Sequence, residues 1–313
     1  ASYDILVQFP SGIELTTSGV RPDQYIYSIG GNSLPNTIEI VEPVLVDIGG
    51  TSDIAGGTVR VAVNNHFMTD LTDTVAGGEW TIPGVPVALS SSDVVTVWID
   101  GVADGSEATG VTRSIGDVDI SGMVLNQNML YLGSSTNLSV SLSDLSFYDN
   151  DYEEDIMHSS NANVLTVDAD NVYSAEGIVI LPGDGLLVQA GNTINAHDVT
   201  INGALTASGA GTINVAGSWD NNGQYYYSTE TVNFTSASAA TIDNTGASRW
   251  AFYNVVFNNG AGSWETKSVF ETAGSFSVTA GTFIQGANVD LSIGGNVNLS
   301  FGTTFTKATG TGL

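Results

Sequence analysis

The chain contains no cysteine, which excludes disulfide staples and thiolate metal centres. Stability must therefore come from a regular core, a hard cation or association with neighbours. Positive charge is nearly absent too. Six Lys and Arg face 33 Asp and Glu, a formal net charge of −27, so there is no basic track to replace the counterions of a nucleic acid. Attraction to an anionic membrane surface is excluded for the same reason. Lysine first occurs at Lys267, so lysine–asparagine cross-links cannot form within residues 1–266. No apolar run is long enough to span a bilayer as a helix; the longest good candidate is VVTVWI at 94–99. Stretches of Leu, Ala, Glu and Lys at helical spacing are missing as well.

What is present is Gly, Thr, Ser, Asn, Val and Ile, the composition of an all-β protein. At 313 residues the chain has room for two or three structural units. Residues 1–43 read as an N-terminal extension of strand-like pieces, beginning with ASYDILVQFP, in which Tyr3, Ile5, Val7 and Phe9 alternate with Asp4, Leu6 and Gln8. Residues 44–112 carry short strands separated by Gly56-Gly57, Gly77-Gly78 and Asp100-Gly101, the pattern of an immunoglobulin-like β-sandwich with Trp80 and Trp98 as core aromatics. At about 70 residues this unit is a strand or two short of the usual sandwich of about 100. Residues 113–184 form an acidic β connector containing the run DLSFYDNDYEEDIMHSS at 144–160.

From Gly185 to Leu313 the chain becomes repetitive. Ile201-Asn-Gly203-Ala-Leu205, Val215-Ala-Gly217-Ser-Trp219, Val278-Thr-Ala-Gly281-Thr-Phe283 and Ile293-Gly-Gly295-Asn-Val297 each place apolar residues on both sides of a glycine bend. Repetition of this kind predicts a parallel β-solenoid, whose rungs cannot bury an inner face alone and share one core by stacking. The stretch GSWDNNGQYYYSTETVNFT at 217–235 resembles the solenoid repeats of large secreted surface proteins from environmental bacteria. VTVWIDG-like and LSFYDNDYEEDI-like segments, here within 94–101 and 145–156, accompany such solenoids in that group. The resemblance covers about residues 55–313. It implies an extracellular structural or adhesive role at the cell surface and carries no catalytic residue with it.

Asp149, Asp151, Glu153 and Asp155 alternate in the acidic run and offer hard oxygen ligands for Ca²⁺, although Glu154 stands where an EF-hand loop wants glycine. Three weak glycosylation sequons occur at Asn137, Asn233 and Asn298. Tyr225, Tyr226 and Tyr227 are consecutive; alternation sends the first and third to one face and Tyr226 to the other. His66, His158 and His197 lie in unrelated segments without a nucleophile-elbow pattern, so the chain is not read as an enzyme. A polysaccharide-active β-helix enzyme stays a remote alternative, with only Arg249, Lys267 and Lys307 in the solenoid to meet an anionic polymer.

A detached apolar strand, a sandwich one strand short and a solenoid without a polar cap converge on association with copies of the same chain. The expected function is a structural subunit of an extracellular filament assembled head to tail by β-strand donation. Residues 1–17 are the donor, with Tyr3, Ile5, Val7 and Phe9 as the assembly residues, and the sandwich is the acceptor. The competing reading is a monomeric surface adhesin or carbohydrate-binding solenoid with glycan partners. A third takes the chain as one piece of a longer surface protein.

Overall fold

The computed structural model describes residues 15–17, 27–29, 43–89, 92–103, 106–161, 163–167, 176–246 and 252–310. The chain divides into two units, residues 1–43 and 44–313. In the first, β1 (Leu15–Thr17) pairs antiparallel with β2 (Tyr27–Ile29). The expected donor residues Tyr3, Ile5, Val7 and Phe9 lie outside the described residues.

The second unit opens with β3 (Val44–Ser52), β4 (Thr58–Val63), β5 (His66–Thr74), β6 (Glu79–Val87), β7 (Val94–Asp100), β8 (Ala108–Arg113) and β9 (Ile120–Leu125). One sheet has the order β6-β3-β9. The other runs β5-β4-β7-β8 with antiparallel pairing throughout. Alternation sends Val46, Ile48, Ile82 and Val85 of the first sheet and Val59, Val61, Val95 and Val97 of the second into one shared core. Trp80 belongs to that core, whereas Trp98 lies on the other face of β7, where it packs against Phe67 and Tyr148.

β8 also pairs in parallel with β10 (Met129–Leu132), which pairs in turn with the strand Gly177–Ile180. From there the chain winds as a parallel β-solenoid of about nine turns. Solenoid pairing thus begins well ahead of Gly185, within the stretch read as a connector. The acidic insert between Ser141 and His158 interrupts the first turn and hides its period in the sequence.

That insert is built to close one end of the solenoid. Helix α1 (Leu142–Leu145) starts at a reciprocal cap: the Asp144 N–H donates to Ser141 Oγ at 3.3 Å and the Ser141 N–H donates to Asp144 Oδ2 at 2.8 Å. Its Leu142 and Leu145 enter the solenoid core, and the strand His158–Ser160 borders Val164–Val167 antiparallel. The other side of the insert is apolar too: Tyr148 and Ile156 pack with Trp98 and Ala62, so the insert is wedged between the solenoid and β7.

Inside, residues stack in columns with one member per rung. One column runs Leu165, Ile194, Ile213, Val232, Val255, Phe276, Val297. A second runs Ala196, Val215, Phe234, Phe257, Val278, Leu299. Aliphatic in the early turns, the core becomes aromatic later, with Phe257 stacked on Phe234 (5.1 Å, 11°) and Phe283 edge-on to Phe276 (4.9 Å, 84°). Burial at these positions contributes roughly 1.5–3 kcal/mol per large side chain. Corners demand glycine where backbones touch: a Cβ at Gly223 would lie 2.1 Å from the Gly203 carbonyl oxygen.

Candidate functional site

Two features of the described surface carry chemistry. The first lies where the acidic insert crosses β7. Asp100, at the end of β7, and Glu153 and Asp155, in the turns of the insert, each offer a carboxylate oxygen within 4.8 Å of the others. The turn forms because the N–H groups of Tyr152 and Glu153 both donate to the Asp149 carbonyl, at 2.9 and 3.3 Å. Asp155 Oδ2 accepts the Gly101 N–H at 2.7 Å, and Asp100 Oδ2 accepts Arg60 Nε–H at 2.8 Å. Partial burial, followed by the neighbouring negative charges, raises the pKa of both Glu153 and Asp155. Their mutual repulsion favours a proton or a cation among them. Three carboxylates meet only part of the six to eight oxygens that Ca²⁺ takes.

The four expected ligands therefore separate. Glu153 and Asp155 stay together and gain Asp100, which sequence reading had taken only as half of an Asp-Gly turn. Asp149 is turned inward: its Oδ2 accepts the Ser160 N–H at 2.7 Å and its Oδ1 the Asp151 N–H at 3.2 Å, while burial raises its pKa. Asp151 is exposed. Beside the trio, Tyr152 is 58% exposed and lies flat on Tyr148 (5.3 Å, 14°), which stacks on buried Trp98 (5.4 Å, 29°). One face of Tyr152 is covered by Tyr148, so the other is presented outward. Such a ring face beside carboxylates suits a sugar or an organic cation.

The second feature is the last described rung. Its strands Leu291–Ile293, Val297–Leu299 and Thr304–Lys307 pair with the preceding rung. On the far side none of the described strands pairs with them. Val297 and Leu299 occupy inward columns, yet each is 53% exposed, and Phe305 extends the aromatic stack from Phe283 at 5.2 Å. Phe301 is fully exposed. The alternation of NVNLSF at 296–301 was the available signal for this surface.

Other sequence candidates serve the fold. Tyr225 points inward and donates to Glu230 Oε1 at 2.5 Å; Tyr226 is exposed as alternation requires; Tyr227, past the end of its strand, is exposed instead of joining Tyr225. Asn233 lies in a side-chain ladder on a strand, with its Nδ2–H donating to Asn214 Oδ1 at 3.1 Å. Asn137 sits exposed in a turn at φ 53°, and Asn298 is exposed on the terminal rung. His158 is fully buried, its Nε2 3.1 Å from the Leu145 carbonyl oxygen, and burial lowers its pKa to about 4. His197 Nδ1 lies 3.3 Å from Asp198 Oδ1 at a solenoid corner, an interaction that raises the imidazole pKa. His66 is exposed on β5. No helix among the described residues is long and apolar enough to cross a membrane. No protein-family model, no curated protein and no solved structure matches the chain.

Proposed function

We propose that this chain is a structural subunit of an extracellular, cell-surface filament, growing head to tail by donation of an N-terminal strand to the next copy. The observation that supports this reading is the parallel β-solenoid of about nine turns, in which neighbouring rungs share continuous side-chain columns, the makeup of a structural module. At one end the core is covered by Leu142, Leu145 and the strand His158–Ser160. At the other, Val297, Leu299, Phe301 and Phe305 stand in the open among the described residues. The immunoglobulin-like character of the two-sheet unit and the secreted-surface setting belong to the same proposal.

Size-exclusion chromatography with negative-stain imaging tests it. Filaments are expected from the full chain and soluble monomer from a variant lacking residues 1–17. A full chain that stays monomeric at every concentration overturns the reading in favour of the adhesin, with the Tyr152 ring as its first candidate contact.

A further inference from the structure

Three Asn-Gly pairs occur in the chain, Asn202-Gly203, Asn222-Gly223 and Asn259-Gly260. Such a pair can rearrange without an enzyme: the glycine nitrogen attacks the asparagine carboxamide carbon, and no Cβ on the glycine bars the approach. The backbone must be able to bring nitrogen and carbon together. The fold allows this at one pair and opposes it at two.

Gly203 and Gly223 lie in corners where rungs touch. The Gly203 N–H donates to the Ile180 carbonyl at 3.1 Å and the Gly223 N–H to the Ile201 carbonyl at 2.7 Å. A Cβ at Gly203 would fall 2.2 Å from the Leu181 carbonyl oxygen, so there is no room for the backbone to turn. The carboxamides run along the solenoid instead, with Asn222 Nδ2–H donating to Asn202 Oδ1 at 3.3 Å. Ring closure at either pair would break a backbone hydrogen bond and shift a corner packed between rungs. Exposure does not decide the matter, since Asn222 is itself exposed.

Asn259-Gly260 stands differently. Within the strand Asn254–Thr266, residues 254–258 and 263–266 keep register with neighbouring rungs, whereas 259–262 have no register partner among the described strands. Gly260 is exposed, and a Cβ there would meet nothing within 4 Å. The Asn259 carboxamide is folded over this corner: Oδ1 accepts the Ala261 N–H at 3.0 Å, and Nδ2–H donates to the Thr235 carbonyl at 2.9 Å. The ring closed by the first of these bonds contains both Asn259 Cγ and the Gly260 nitrogen, the two atoms that must join. The Ala261 N–H also sits where negative charge develops on Oδ1 as the nitrogen adds.

We infer that Asn259 is a site of spontaneous modification, converted to aspartate and isoaspartate through a succinimide while Asn202 and Asn222 are spared. The Gly260 nitrogen gives its proton to solvent and bonds to Cγ, and the carbonyl electron pair passes to Oδ1. Its return expels Nδ2 as ammonia, which takes a proton from water. Water then opens the cyclic imide at either carbonyl. The product places a new carboxylate at a solenoid corner, and its isoaspartate form lengthens the backbone there by a methylene group.

The full folded chain, held in mildly alkaline buffer and then digested, tests this when its peptides are followed by mass spectrometry for amide-to-acid exchange. Exchange at Asn259 is expected to be at least about tenfold faster than at Asn202 or Asn222, and the three rates should converge in the urea-unfolded chain. Gly260→Ala, which the open space accommodates, should keep the wild-type circular dichroism spectrum and slow exchange at 259 by about tenfold, because a methyl group then obstructs the approach to Cγ. A rate at 259 no faster than at 202 or 222 in the folded chain overturns the assignment. An unchanged rate at 259 in a Gly260→Ala protein of wild-type spectrum also overturns it, by showing direct hydrolysis in place of the succinimide.

Discussion

Asp184 and His158 are buried titratable groups that pull stability in opposite directions with pH. Burial raises the Asp184 carboxyl to about 6, against the hydrogen bond from the Ser134 N–H at 3.1 Å. The folded protein therefore binds that proton more tightly than the unfolded chain, and stability from this group rises as pH falls through about 6. His158 behaves in the reverse sense. Its folded pKa is lowered from 6.5 to about 4, so stability is lost as pH falls from 6.5 towards 4. Asp184→Asn removes the first contribution alone. Its urea midpoint should exceed that of the wild type at about pH 7.5 and lose the advantage by about pH 5. An advantage that does not change with pH would mean that Asp184 stays ionised in the fold.

At the scale of the element, the outward face of the solenoid carries its own ladder. Asn195, Asn214 and Asn233 stand on successive rungs, with Asn214 Nδ2–H donating to Asn195 Oδ1 at 2.7 Å and Asn233 Nδ2–H to Asn214 Oδ1 at 3.1 Å. The next position in register is Val256, and Asn233 Oδ1 is buried without a partner. Val256→Asn supplies the missing donor and should stabilise by roughly 0.5–1.5 kcal/mol, whereas Asn214→Ala breaks two links and should cost roughly 1–3 kcal/mol. Both are read from denaturant midpoints. If Val256→Asn instead destabilises the protein, packing of the Val256 side chain outweighs the added hydrogen bond.

The same ladder shows what the sequence made legible and what it did not. TIN at 193–195 and 212–214 and TVN at 231–233 recur at a spacing of 19 residues, set by the length of a turn. The glycine motifs were harder to place. Gly203 and Gly217 look alike in sequence, yet Gly223 follows Gly203 at one corner while Gly217 sits over His197 at another. A spacing of 14 residues between those motifs therefore measures corner to corner instead of rung to rung. Strand class and stacking follow from local alternation, so they were readable. The cap at Leu142 and Leu145 and the grouping of Asp100 with Glu153 and Asp155 depend on residues about 50 apart meeting across a sheet, and no local pattern records that.

At the scale of the whole molecule, charge opposes the self-association that the proposed filament requires. A net charge of −27 on 32.4 kDa makes each copy repel the next over the Debye length, about 30 Å at 0.01 M salt and about 8 Å at 0.15 M. Short-range contacts between copies would act only on touching, so repulsion would govern the approach and those contacts the lifetime of the proposed filament. Filament growth followed by light scattering should therefore accelerate steeply between those two salt concentrations, with little change in how fast finished filaments dissolve. Ca²⁺ at matched ionic strength separates general screening from occupation of the Asp100, Glu153 and Asp155 trio. An extra acceleration by Ca²⁺, together with a higher melting temperature, that disappears in Glu153→Gln/Asp155→Asn would assign the effect to the trio. Growth that ignores salt altogether would mean that the faces brought together in the filament are the few on which this acidic chain carries no charge.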